Sequence, residues 1–149
     1  MALYPIFEAP EIVDLTQEKV AEYKESIYFD SELGDIVLDS AGKVKMASGQ
    51  EAWLQWCVKM IFTEGSACLA YPNGSGVDME YAMSREDRKS REAAIENTIR
   101  DTLMNDPSHR TIEVKDFSYV YGVDSVAVNF TIVGADGYTG QLSVEIGGE

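Results

Sequence analysis

The segment Gly49–Gly65, GQEAWLQWCVKMIFTEG, constrains the fold more than any other. Ala52, Trp53, Trp56, Cys57, Met60 and Ile61 recur at spacings of one, three and four, the stripe of a helix packed along one side. Leu54, Val58 and Phe62 add apolar positions on a second side, leaving Gln50, Glu51, Gln55 and Lys59 as a narrow polar edge. Ser48 stands three residues before Glu51, the spacing of a capping box. Gly65 supplies a stop. Burying each tryptophan is worth roughly 4–6 kcal/mol in gross transfer energy. Such a helix is a core element and requires a second layer to cover it.

The rest of the chain supplies that layer. "GDIVLDSAGKVKMASG" reads as a hairpin, with Ile36–Leu38 and Val44–Ala47 as strands around the turn Asp39-Ser40-Ala41-Gly42. "AYPNGSGVDMEYAM" reads as a loop followed by a short segment. A second helix is expected over "SREDRKSREAAIENTIRDTLMND", with Ser84 as N-cap, Asp87 in the first turn, and Ile95, Ile99 and Leu103 on its apolar stripe. Pro107 marks its end. Then "TIEVKDFSYVY", "SVAVNFTIV" and "GQLSVEI" each alternate with period two, the middle one placing Val126, Val128, Phe130 and Ile132 on one face. Turns fall at Gly122-Val123-Asp124 and Gly134-Ala135-Asp136-Gly137. The expected class is α+β: two helices on one face of an antiparallel β-meander, preceded by the hairpin. Residues 1–30 read as an extended arm, with apolar Leu3, Tyr4, Ile6 and Phe7 near its start, and residues 31–149 as the domain.

Composition removes several function classes. Among 149 residues, 26 are acidic and 12 basic, for a net charge of -14. Nucleic acid and anionic membrane surfaces are poor partners for such a chain, because both are bound by clustered Lys and Arg. No apolar run approaches the ~20 residues of a membrane span. The first residues, rich in proline and without a basic start, do not read as a signal peptide, so synthesis in the cytoplasm is expected. Cys57, Cys68 and the single His109 offer no zinc-site spacing, and buried free thiols are expected; no cofactor is implied.

Candidate chemistry is sparse. A glycosidase reading comes only with the family resemblance given below, which would put forward Glu64, at the helix end, with Asp78 or Glu80 as second carboxylate at a separation of ~5 Å or ~6.5–9.5 Å. In so acidic a chain the presence of such partners carries little weight, and Glu64 reads better as an exposed terminal residue. "NGSG" lacks the Lys of a phosphate loop. Arg110 stands out, because an arginine between helix and strand, near Asp106, is suited to clamp a carboxylate through two bonds. That pair is either an internal brace or a contact to another subunit.

The ordered set of hairpin, "GQEAWLQW" helix, "YPNGSGVDM" loop, polar helix and "NDPSHRTI" resembles the small baseplate wedge proteins, or sheath initiators, of contractile phage tails, a family once labelled lysozyme-like. The likeness is carried by Gly34, Gly49, Ala52, Gln55, Tyr71, Gly76, Met79, Asp106, Pro107, Arg110 and Ile112, and is nearest to the branch of Gram-positive phages and prophages. Two departures stand out: Thr63-Glu64-Gly65-Ser66 lacks the family's arginine, and Ser108 and His109 are inserted before Arg110. The resemblance implies a non-enzymatic structural protein of a tail baseplate, in a phage or a phage-derived bacteriocin particle, assembled in the bacterial cytoplasm. Implied partners are the tail sheath protein and other wedge proteins, with tail tube or hub proteins as further candidates, in several copies around a six-fold baseplate. Strand addition to the last strand, at Gln141, Leu142, Ser143, Val144, Glu145 and Ile146, is the expected mode of sheath binding. Asp106 and Arg110 are expected as a wedge contact or brace, and Leu3, Tyr4, Ile6 and Phe7 as the arm's anchor.

Overall fold

The structure is a computed structural model and describes residues 23–30, 32–65 and 75–147. Its elements are four two-residue strands, β1 (Ser26–Ile27), β2 (Phe29–Asp30), β3 (Asp35–Ile36) and β4 (Met46–Ala47), then helices α1 (Gly49–Ile61), α2 (Met79–Met83) and α3 (Arg88–Met104), then β5 (Thr111–Tyr121), β6 (Ser125–Gly134) and β7 (Thr139–Gly147). The last three form an antiparallel sheet in the order β5-β6-β7. The class is α+β, as the sequence indicates.

α1 starts where the capping box places it. Ser48 Oγ accepts from Glu51 N–H at 3.3 Å, and Glu51 Oε2 accepts from Ser48 N–H at 2.9 Å. That second bond holds the Glu51 carboxyl below the usual carboxylate range. Trp53 is fully buried, donates its Nε1–H to Thr111 Oγ1 at 3.0 Å, and meets Tyr23 and Tyr138 edge-to-face. Helix α1 is covered less widely than expected: Trp56, Leu54 and Val58 are half-buried and Phe62 is exposed. Gly49 has a packing reason, because a Cβ there would lie 2.5 Å from the Tyr23 carbonyl oxygen.

Two expected elements differ. Ser84 does not start the second helix; it closes α2, its hydroxyl donating to the Tyr81 carbonyl. Asp87 is the N-cap of α3 and accepts from Ser90 N–H at 3.0 Å. Both residue types cap helices, and the short turn of α2 takes the first of them. The hairpin keeps its turn, through the bridge Leu38–Val44 and a bond from Asp39 N–H to the Lys43 carbonyl. Its strands then separate, and each pairs with residues 26–30: Met46–Ala47 with Ser26–Ile27, and Asp35–Ile36 with Phe29–Asp30. So residues that the sequence grouped with the arm supply the third strand of this lobe.

Between the layers, Val126, Val128, Phe130 and Ile132 of β6 are all buried against Trp53, Cys57, Ile95, Ile99 and Leu103. The alternation read in this strand is present in every residue from Ser125 to Gly134. β5 departs from it. Its inward residues are Thr111, Val114, Phe117 and Tyr119, spaced three, three and two, because the ladder with β6 slips between Thr111 and Glu113 and again between Lys115 and Ser118. Asp116, inside the second slip, has φ 56°.

Candidate functional site: the margins of the sheet

A three-stranded meander leaves two lateral margins, and the two differ in kind. β7 runs nine residues in unbroken register with β6, from Val133–Thr139 to Ser125–Gly147. The turn sets its phase. Gly134 N–H donates to the Tyr138 carbonyl at 2.8 Å, and Gly137, at φ 83°, closes the loop by donating to the Gly134 carbonyl. Antiparallel alternation from that pair directs the backbone groups of Gly140, Leu142, Val144 and Ile146 toward β6. The N–H and C=O groups of Thr139, Gln141, Ser143 and Glu145 therefore point away, and among the described residues no strand pairs with them. Leu142, Val144 and Ile146 turn their side chains to the core, whereas Gln141, Ser143 and Glu145 are exposed.

The β5 margin is irregular, and helix α3 ties it down. Tyr119 Oη donates to the Glu92 carbonyl at 3.1 Å and contacts Glu96 Oε1 at 3.0 Å, and burial beside Glu96 raises its pKa. Tyr121 donates to the Glu92 carboxylate, and the Arg88 guanidinium lies 3.9 Å from the Tyr121 ring centre. The Tyr121 hydroxyl holds the Glu92 carboxyl below its ordinary range.

Asp106 and Arg110 sit where α3 hands over to β5. The Asp106 carboxylate accepts from Arg110 Nε at 2.8 Å, Arg110 Nη2 at 3.1 Å, Arg110 N–H at 3.1 Å and Ser108 N–H at 3.0 Å. The side chains are 1% and 10% exposed. Ser108-His109 forms the tight turn that brings Arg110 back onto Asp106, with His109 at φ 52° and its N–H on the Asp106 carbonyl. Chemically this is a two-pronged ion pair inside the chain, roofed by Trp56 at 5.5 Å. The Arg110 carbonyl in turn accepts from Tyr23 Oη and from Ala135 N–H. This junction joins helix, sheet and chain entry.

Glu64, Asp78, Tyr81 and Asp101 line an open groove of ≈ 1210 Å³ beside α2 and α3. Asp78 is committed to capping α2 through Tyr81 N–H. A general acid needs its carboxyl raised. Elsewhere in the molecule, away from this groove, Glu51, Glu92 and Asp136 are held low, Asp136 chiefly by the Gln50 amide. Burial pushes the Cys57 thiol up to about 12, an inert state. Among the described residues no group of three or more His, Cys, Asp or Glu is placed to hold a metal, and no helix is long and apolar enough to cross a membrane. Leu3, Tyr4, Ile6, Phe7, Cys68 and Tyr71 lie outside the described residues.

The sequence named the β7 residues and the Asp106–Arg110 pair. It missed Tyr23, whose hydroxyl bridges the Arg110 carbonyl and Asp136 N–H; a lone tyrosine ahead of two-residue strands gives no periodic signal. It also missed the contrast between margins, because both strands look alternating when read alone.

No curated protein matches the chain. Residues 25–137 match a family described as "Contractile injection system sheath initiator", from just before β1 to the β6–β7 turn. The match spans most of the described fold, including the lobe, all three helices and the Asp106–Arg110 junction. With helices and sheet in this order and that match over most of its length, the chain belongs to the sheath initiator family, a structural component of contractile injection systems.

Proposed function

We propose that the chain starts sheath polymerisation by offering the free margin of β7 to a strand of the first sheath subunit, while the rest of the molecule is held among baseplate wedge proteins. The observation that carries this reading is the regular, exposed row of backbone groups at Thr139, Gln141, Ser143 and Glu145. The family match ends at residue 137, so β7 lies beyond it and the strand-addition reading rests on backbone geometry. Four or five added hydrogen bonds contribute roughly 2–7 kcal/mol net. Association costs on the order of 4–15 kcal/mol, so a single acceptor holds its partner weakly. A ring of acceptors fixed around a six-fold baseplate raises the effective concentration and makes the same contact a nucleus. In this reading the segment with Leu3, Tyr4, Ile6 and Phe7 anchors the chain to neighbouring wedge proteins, the domain follows the arm, and the particle is a phage tail or a related bacteriocin.

Proline at Ser143 tests it. The Ser143 N–H faces away from β6, so Ser143→Pro removes an outward donor and spares the β6–β7 ladder. The expected result is a thermal midpoint close to that of the parent and no sheath on baseplates carrying the variant. Val144→Pro, whose N–H bonds to β6, loses the fold instead. Sheaths of normal length on Ser143→Pro baseplates overturn the strand-addition reading.

A further inference from the structure

The lobe formed by residues 26–47 carries a feature that the β7 margin does not use. Ile27 pairs with Met46, Phe29 with Ile36, and Leu38 with Val44. Directly opposed residues of an antiparallel ladder project to the same side. Within each run the members are two apart (Ile27 and Phe29, Ile36 and Leu38, Val44 and Met46), which keeps all six on one face. The other face holds Ala47, which is buried, and Tyr28, with Lys45 4.1 Å above its ring. The six are 38% to 57% exposed, and Leu33, in the turn between β2 and β3, is 75% exposed. Cross-strand apolar pairs left to water cost solubility and return nothing to the core. The largest contiguous apolar patches on monomers, ~300–600 Å², are often functional.

Charge decides what covers it. The turns at the ends of this face carry Asp30, Glu32, Asp35 and Asp39 against Lys43, and Lys45 is turned to the opposite side. Asp30 and Asp39 are fixed by backbone N–H groups, Asp30 Oδ1 accepting from Glu32 and Leu33, and Asp39 Oδ1 from Ala41 and Lys43. Residues 1–22 hold Glu8, Glu11, Asp14, Glu18 and Glu22 against Lys19, so the chain's own leading segment brings like charge. A second copy, at net -14, brings more. We propose that the face of Ile27, Phe29, Ile36, Leu38, Val44 and Met46 is a docking surface for an apolar segment of a different protein, flanked by Lys or Arg. It is independent of strand addition at β7.

The test uses the full chain and two synthetic peptides with the same alternating Leu/Val centre, one flanked by lysines and one by glutamates. The lysine-flanked peptide is expected to bind, with amide shifts confined to residues 26–47, and to weaken as salt rises. The glutamate-flanked peptide is expected to bind about tenfold more weakly or worse. Phe29→Ser and Leu38→Thr, both at exposed positions that tolerate polar residues, should each lower affinity about tenfold while circular dichroism stays unchanged. Equal binding of both peptides, no binding of either, or full affinity in the two variants overturns the proposal. So does a dimer in sedimentation that Leu38→Thr dissolves, which assigns the face to a second copy. A gain of about tenfold in peptide affinity on Ile6→Ser/Phe7→Ser assigns it to the leading segment instead and equally overturns the proposal.

Discussion

The outer strands β5 and β7 flank the same central strand, yet only one of them keeps an unbroken ladder with it. β5 breaks register twice, places Asp116 at φ 56°, and is tied to α3 through Tyr119 and Tyr121. Bulges of this sort spoil a margin as a template, since an incoming strand cannot match its spacing. β7 is straight in register and carries a single core-buried side chain, Val144, with Leu142 and Ile146 half-buried. The lesson is that a small sheet can protect one margin by distortion and leave the other regular. The regular side is the one we propose as the starting point for growth.

The sharpest way to break that contrast is at the Asp106–Arg110 junction, which leads into β5. Asp106→Ala leaves a buried guanidinium without its carboxylate and should cost about 3–5 kcal/mol in urea unfolding. Glu145→Ala on the exposed β7 margin should stay within about 0.5 kcal/mol. Comparable losses at both sites would mean that the two margins are held alike. A smaller effect sharpens the role of distortion: Asp116→Gly relieves a left-handed backbone and should gain roughly 0.5–1 kcal/mol. A loss there would show that the Asp116 side chain, rather than the bulge, fixes β5.

The smallest effect is in pH. Glu92 has a folded pKa below its unfolded value because the Tyr121 hydroxyl donates to it. Its contribution is therefore present above the ordinary carboxylate pKa and lost as pH falls through the lowered folded value. Tyr121→Phe should flatten the decline in melting temperature between neutral pH and about pH 3. An unchanged acid slope would remove Glu92 from the account of how α3 holds β5.

Much of the fold could be read from the chain because its signals are periodic. Val126 to Ile132 alternate without exception, and Ser48 with Glu51 is a spacing with one common structural meaning. The failures have physical causes too. Ser84 and Asp87 are both cap-forming residues three apart, and the choice between them depends on α2, a five-residue helix too short to show a period. The slips in β5 are invisible in TIEVKDFSYVY because each piece between them alternates locally. The third strand of the lobe spans four paired residues, below the length at which alternation means anything. The Asp106–Arg110 spacing suggested a clamp, but its burial comes from Trp56 and the Ser108-His109 turn, which no spacing encodes.

Tyr23 gives the molecule a mechanical property. Its hydroxyl is fastened to the Arg110 carbonyl and Asp136 N–H, its ring is wedged against Trp53, and its backbone presses on Gly49. Tension arriving from the preceding residues reaches the seam of the sheet and the deepest aromatic ring at once, and must break several attachments together before it can peel the short strands that follow. In a machine that works by sudden shortening, a component anchored in this way yields late.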